Sequence, residues 1–130
     1  MLINRNGYNF DSDSVVQFPN DWSIEDKIGL LERRILVYSY QYYELAQTVV
    51  DDKFYDLVSM YLVEMIEQYP NEFKNTQYYY VFYDFDGYTG FHLYSRLNDK
   101  DKRMIKIIAW NVLDSYLRHR TSRTKGGEKQ

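Results

Sequence analysis

Apolar residues in the first half of the chain recur at the spacing of amphipathic helices. From Ile24 they follow one another at intervals of three or four, which places them on one helical face. Ser23 is a favoured N-cap residue, and Asp26 stands at the capping-box position three residues later. The pattern predicts a first helix over about 23–46, with an apolar face formed by Ile24, Ile28, Leu31, Ile35, Tyr38, Tyr42 and Leu45.

A second helix is predicted over about 52–69. Asp51 or Asp52 can cap its start, and Pro70 stops it because proline lacks a backbone N–H and clashes with the preceding turn. Because the connection between the two helices is short, we expect them to lie antiparallel as a helix hairpin. The apolar face of the second helix is formed by Phe54, Tyr55, Val58, Leu62, Met65, Ile66 and Tyr69.

The middle of the chain carries a weaker pattern. Residues 77–83 are rich in aromatic side chains, and aromatic content alone does not decide between a strand and a helix; we expect a short helix, with a short β element as the alternative. The stretch DFDGYTG over 84–90 predicts a loop, because Gly87 and Gly90 permit backbone angles that other residues avoid. A short helix is expected to follow over 91–97.

A long final helix is predicted over about 99–118, capped by Asn98. The expected fold class is therefore mainly α: a single small helical domain over 23–118, built on the antiparallel hairpin and the final helix. An irregular segment over 1–22 precedes this domain, and a flexible basic tail over 119–130 follows it. The apolar face of the final helix is formed by Met104, Ile105, Ile108, Val112, Leu113, Tyr116 and Leu117, with Trp110 at its flank.

Composition narrows the chemistry that the chain can carry. Its 130 residues suit one domain, and 18% of them are aromatic, including 15 tyrosines. The absence of cysteine excludes disulfides, thiolate nucleophiles and cysteine zinc sites, and two histidines are too few for a histidine metal site. The sequence opens without a signal-peptide pattern and has no apolar run long enough to span a bilayer. We therefore expect a cytoplasmic protein.

Charge is divided unevenly between the two halves of the chain. Residues 1–70 contain 12 acidic and 5 basic residues, a balance of −7, whereas residues 71–130 contain 7 acidic and 11 basic residues, a balance of +4. An acidic half can compete for a nucleic-acid groove, and a basic segment can contact nucleic acid. The basic residues of the final helix and tail are Lys100, Lys102, Arg103, Lys106, Arg118, Arg120 and Arg123.

The turn between the two predicted helices, YQYYELAQTVVDDKFYD over 40–56, concentrates four tyrosines and three aspartates. The order of aromatic, acidic and apolar residues in and after it runs Tyr40, Tyr42, Tyr43, Val50, Asp52, Tyr55, Asp56, Leu62 and Pro70. This order resembles domain Ia, the small N-terminal helical domain of NAD-dependent bacterial DNA ligases. The usual pattern there is an aromatic-rich helix, a D-x-P-x-I-S-D-A-E-Y-D turn and a second helix ending near H-P-E. The similarity covers residues 24–73.

The resemblance implies a site for NAD, nicotinamide mononucleotide (NMN) or an NAD-derived nucleotide, because domain Ia clamps the NMN half of NAD. The implied contacts are Tyr42, Tyr43, Asp52, Tyr55 and Asp56. Tyrosine faces stabilise a flat cationic ring by about 0.5–2 kcal/mol per contact, and carboxylates accept hydrogen bonds from ribose hydroxyls. A purely structural interpretation is the alternative, since Tyr42 and Tyr55 fall on apolar stripes and Asp52 can serve as an N-cap.

No catalytic motif accompanies this segment. Ligases need the lysine of K-x-D-G as a nucleophile, and the nearest string here, DFDG, has Asp84 in its place. His92 beside Asp84 or Asp86 could form an acid–base pair, although a lone histidine among aromatic residues is more often structural. We therefore expect a protein that is not an enzyme, requires no cofactor and binds no metal.

Three functions remain open from the sequence. A short, cysteine-free, tyrosine-rich chain with a detached domain Ia-like segment resembles small proteins of phages and prophages that act in a bacterial host cell. A binding domain without its catalytic partner suggests a binder or inhibitor with a role in counter-defence or host takeover. The first function is recognition of an NAD-type ligand. The second is inhibition of a host nuclease or other host protein through the acidic aromatic surface, as anti-CRISPR proteins do. The third is a nucleic-acid accessory function of the basic helix; no membrane partner is expected.

Overall fold

A computed structural model describes residues 2–3, 9–10, 16–88 and 90–128, with side-chain surroundings described from 16 to 119 apart from 89. Within these residues the protein is mainly helical, as predicted. Two short strands pair antiparallel, Leu2 opposite Phe10 and Ile3 opposite Asn9. The elements in chain order are β1 (Leu2–Ile3), β2 (Asn9–Phe10), α1 (Ile24–Glu44), α2 (Asp52–Gln68), α3 (Pro70–Phe73), α4 (Tyr79–Phe82), a 3₁₀ helix (Tyr94–Arg96) and α5 (Asp99–Glu128).

Helix α1 lies at the centre of the fold. Its first turn is capped as predicted, because the Asp26 N–H donates to Ser23 Oγ at 3.1 Å. Every residue from 35 to 41 is buried, so α1 is covered on all sides there, with α2 and α5 packed against it. A helix in this position must bury polar side chains as well as apolar ones, and Glu32, Ser39 and Gln41 are all buried.

The hairpin of α1 and α2 is antiparallel, as predicted. Ser39, near the end of α1, forms a 3.0 Å hydrogen bond with Tyr55, near the start of α2. Of the two candidate N-caps, Asp51 performs this function, since its Oδ1 accepts from the Phe54 N–H at 2.8 Å. Asp52 is the first residue of α2, so its carboxylate is not the N-cap that the structural alternative assumed.

The segment over 70–98 contains short helical elements and turns. Pro70 ends α2 and stands in the first turn of α3. Because N–H groups in the first turn of a helix have no partner within the helix, the missing N–H of proline costs no hydrogen bond there. The β alternative for 77–83 is wrong, because Tyr79–Phe82 is helical. The Val81 and Phe82 N–H groups both bond to the carbonyl of Tyr78, at 2.9 and 3.1 Å, so the aromatic run satisfies its backbone locally.

Helix α5 begins where the sequence predicts but continues further. Asn98 caps it, accepting from the Asp101 N–H at 2.8 Å. The backbone remains helical to Glu128, so the predicted boundary at 118 is wrong for the helix. Each added helical residue gains a backbone hydrogen bond, although Gly126 and Gly127 have low helix propensity. No helix in the described part of the chain has both the length and the apolarity required to cross a membrane.

The predicted apolar face of α5 is only partly buried. Ile105, Ala109 and Leu113 are buried against the core. Residues 114–119 are all exposed, and no other described residue covers this part of the face. Four predicted face residues and the flanking tryptophan are exposed: Met104, Val112, Tyr116, Leu117 and Trp110.

Candidate functional site

A cleft of about 250 Å³ lies where the end of α1, the start of α2 and the loop before the 3₁₀ helix meet. We call it the aromatic cleft. All five residues that the sequence predicted for a ligand site line it. The full lining comprises Tyr38, Tyr42, Tyr43, Thr48, Val50, Asp51, Asp52, Tyr55, Asp56, Tyr88 and Gly90.

One side of the aromatic cleft is formed by exposed aromatic rings. Tyr42 and Tyr43 are 52% and 43% exposed, and their rings meet edge to face at 4.9 Å. Tyr43 also meets Phe91 edge to face at 5.3 Å. The prediction that Tyr42 belongs to the buried face of α1 is therefore wrong, because the last turn of α1 is no longer covered on that side. Its ring is available to a ligand instead of the core.

Ser39, Tyr55 and Gly90 form a close contact at the aromatic cleft, whose lining includes Tyr55 and Gly90. Ser39 Oγ and Tyr55 Oη are 3.0 Å apart, and Ser39 is buried. A Cβ on Gly90 would collide with both hydroxyl oxygens, so only glycine lets the loop backbone approach this closely. Burial raises the pKa of the Tyr55 phenol, which therefore remains neutral at physiological pH and supplies a hydroxyl to the cleft.

Two carboxylates on α2 face the cleft one helical turn apart. Asp52 and Asp56 stand at positions i and i+4 and are both exposed. Partial burial, and then repulsion from Asp52, raise the pKa of the Asp56 carboxyl. A bound cation would relieve this repulsion, and either carboxylate can accept hydrogen bonds from hydroxyl groups.

The segment over 45–50, between α1 and α2, is held in place by the buried side chain of Gln41. Its Nε2 donates to the carbonyl of Ala109 on α5 at 3.0 Å, and its Oε1 accepts from the Val49 N–H at 3.4 Å. Ala46 adopts a positive φ of 53°, which reverses the chain after α1. Gln41, on α1, therefore links α5 to the segment over 45–50.

Sequence reasoning did not assign six of the lining residues to the site: Tyr38, Thr48, Val50, Asp51, Tyr88 and Gly90. Tyr88 and Gly90 come from a stretch where the sequence predicted only a loop, and Gln41, which does not line the cleft, holds the segment over 45–50 in place. At Gly90, a glycine in a turn-rich stretch could have indicated a close approach of the backbone to other residues. No local signal predicts Tyr88 or Gln41, because their positions depend on contacts with elements distant in sequence.

Searches against protein-family models, curated proteins and solved structures found no match to this chain. The resemblance to ligase domain Ia therefore stays a prediction. The aromatic cleft must be interpreted from its own chemistry.

The residues of the suggested acid–base pair, His92 with Asp84 or Asp86, line one small cavity. Asp84 is engaged by Arg96 through bonds of 2.6 and 3.2 Å, which lower the pKa of its carboxyl. His92 lines a cavity of about 220 Å³ with Asp84 and Asp86. No group of three metal-ligating side chains occurs within the described residues.

Several basic residues in the described part of α5 lie on its solvent-facing surface. Lys100, Arg103 and Lys106 are exposed, and Arg118 pairs with Asp114 at 3.0 Å. The side chains of Arg120 and Arg123 lie outside the described side-chain surroundings. The exposed face of the helix is solvated by Lys100, Arg103, Lys106 and Arg118.

Proposed function

We propose that this protein is a non-catalytic, phage-type counter-defence or host-takeover protein that recognises NAD, NMN or an NAD-derived nucleotide in the aromatic cleft. One observation carries the proposal: five residues selected from the sequence line a single cleft. Exposed tyrosine faces suit a flat cationic ring, and carboxylates suit ribose hydroxyls. A bound nucleotide would be sequestered without reaction, which is the simplest use of a site that pairs these groups.

Isothermal titration calorimetry with NAD and NMN up to millimolar concentration tests this proposal. Tyr42→Ala and Asp56→Asn should each weaken binding at least about tenfold, because they remove a ring face and an acceptor from exposed positions. Tyr116→Ala and Asp21→Asn are the matched controls, since both residues are exposed and lie outside the cleft lining.

The absence of binding heat with both ligands would refute the proposal. An equal loss of ligand affinity in the cleft variants and the control variants would also refute it. Tyr55→Ala is less suitable as a first test, because it also removes the hydrogen bond to Ser39 that joins α1 to α2.

A second candidate function is inhibition of a host nuclease or another host protein. The observation that favours it is the aromatic rim, which we define as Tyr42, Tyr43, Tyr88 and Phe91. These four rings are 43–64% exposed, and aromatic side chains are common anchors at protein interfaces. The neighbouring aspartates would complement a basic nucleic-acid groove.

Affinity purification of the tagged protein from its bacterial host separates the two candidates. Phe91 belongs to the rim but does not line the cleft, so Phe91→Ala should reduce capture of a protein partner while leaving NMN binding unchanged. Recovery of the same nuclease by the wild-type and variant proteins would contradict binding through the rim. Capture that persists in high salt would contradict electrostatic mimicry.

A further inference from the structure

The charged side chains that line the aromatic cleft are all acidic. Its lining holds three aspartates and no lysine, arginine or histidine among the described residues. A phosphate group has two negative charges near neutral pH and would meet carboxylates on the α2 side of the cleft. A positively charged group on a ligand would instead be attracted by these carboxylates.

The N-terminus of α2 does not offer an anion site either. A helix N-terminus often binds phosphate through its free N–H groups. Here the Phe54 N–H already donates to the carboxylate of Asp51 at 2.8 Å, and Asp52 adds a second negative charge in the first turn. The carboxylates of the protein itself therefore occupy the position that a phosphate would need.

Arg34 is the basic residue that contacts the cleft wall. Its Nη1 donates to Tyr38 Oη at 3.3 Å, and Tyr38, only 6% exposed, stands between Arg34 and the cleft. The guanidinium thus reaches the wall without joining the lining. It is the residue to remove if phosphate recognition has to be tested.

The volume of the cleft agrees with a ligand smaller than a dinucleotide. Sites for drug-sized ligands usually measure about 300–1,000 Å³. The aromatic cleft, at about 250 Å³, suits a ring with its sugar.

We propose that the aromatic cleft binds the cationic pyridinium nucleoside portion of its ligand and disfavours phosphate, so that nicotinamide riboside binds more tightly than NMN. This inference rests on the proposed function and specifies its ligand class. The tyrosine faces stabilise the ring charge, and the aspartates attract the same charge while repelling a phosphate dianion.

Calorimetry at one fixed ionic strength compares three probes: nicotinamide riboside, NMN and the reduced, uncharged riboside. We expect the oxidised riboside to bind about tenfold more tightly than NMN, because the phosphate is repelled by two nearby carboxylates. It should also bind about tenfold more tightly than the reduced riboside, which has nearly the same size but no cationic ring. Asp52→Asn and Asp56→Asn should each reduce the difference in affinity between nicotinamide riboside and NMN.

The outcomes distinguish this inference from the proposed function. If NMN binds as tightly as the riboside or more tightly, the inference is wrong and the proposed function stands. Loss of that NMN binding in Arg34→Gln would then identify Arg34 as a phosphate contact. If none of the probes binds at millimolar concentration, both the inference and the proposed function are wrong.

Discussion

At the scale of single residues, Glu32 is the most unusual side chain of the core. It is fully buried, accepts a 2.9 Å hydrogen bond from the Thr76 hydroxyl through Oε2, and has no hydrogen-bond partner for Oε1. Burial raises the pKa of its carboxyl from 4.5 to about 8. Glu32 is therefore protonated in the folded protein at neutral pH.

This protonation makes stability depend on pH. Because the pKa is higher in the folded than in the unfolded state, the contribution to stability is complete below about pH 4.5 and is lost as the pH rises through about 8. We predict that the free energy of unfolding falls by about 2–3 kcal/mol between pH 6 and pH 9. Urea denaturation at several pH values measures this change.

Glu32→Gln should abolish most of that loss, because an amide does not ionise. Glu25→Gln is the matched control, since Glu25 is exposed in the first turn of the same helix. A Glu32→Gln protein that loses as much stability as the wild type between pH 6 and pH 9 would contradict this account of Glu32.

At the scale of elements, the chain reversal after α1 carries a measurable strain. Ala46 has a φ of 53°, a left-handed conformation that glycine adopts more easily than alanine. We predict that Ala46→Gly raises the free energy of unfolding by about 0.5–1 kcal/mol. Chemical denaturation checks this value, and Gln47→Gly, at a neighbouring position without a positive φ, should give no gain. Equal effects of the two substitutions would show that the backbone at position 46 is not strained.

The sequence predicts elements well where local periodicity and capping agree. The three longest helices are capped by Ser23, Asp51 and Asn98. Each cap residue lies in a local sequence pattern that predicts the start of a helix. The length of α5 and the burial of its residues were predicted less well. Periodicity identifies which residues share a face, but it contains no information on how far the neighbouring elements extend.

The same limit applies to the candidate site. The turn between α1 and α2 brings Tyr42, Asp52 and Asp56 together through local sequence, so their common location was predictable. Tyr88 and Gly90 reach the cleft from a loop more than 30 residues later in the chain. Such a contact depends on tertiary packing, which the pattern of a single sequence does not specify.

At the scale of the whole molecule, the acidic balance of residues 1–70 should attract a cationic ligand towards the cleft. Raising NaCl from about 20 to about 200 mM shortens the screening length from about 20 to about 7 Å. We predict that the affinity for nicotinamide riboside falls about threefold over this range. The uncharged reduced riboside is the control, and an equal fall for both ligands would rule out an electrostatic origin.

The most direct test of the central claim is a titration of the ¹⁵N-labelled protein with nicotinamide riboside, followed by ¹H–¹⁵N correlation spectra. The account predicts saturable shifts of backbone amides at residues 42–56, 88 and 90, with smaller effects on the exposed half of α5. These residues surround the aromatic cleft, so their response would locate the ligand there. Absence of saturable shifts at millimolar ligand, or shifts concentrated on α5, would contradict the claim that the cleft is a binding site.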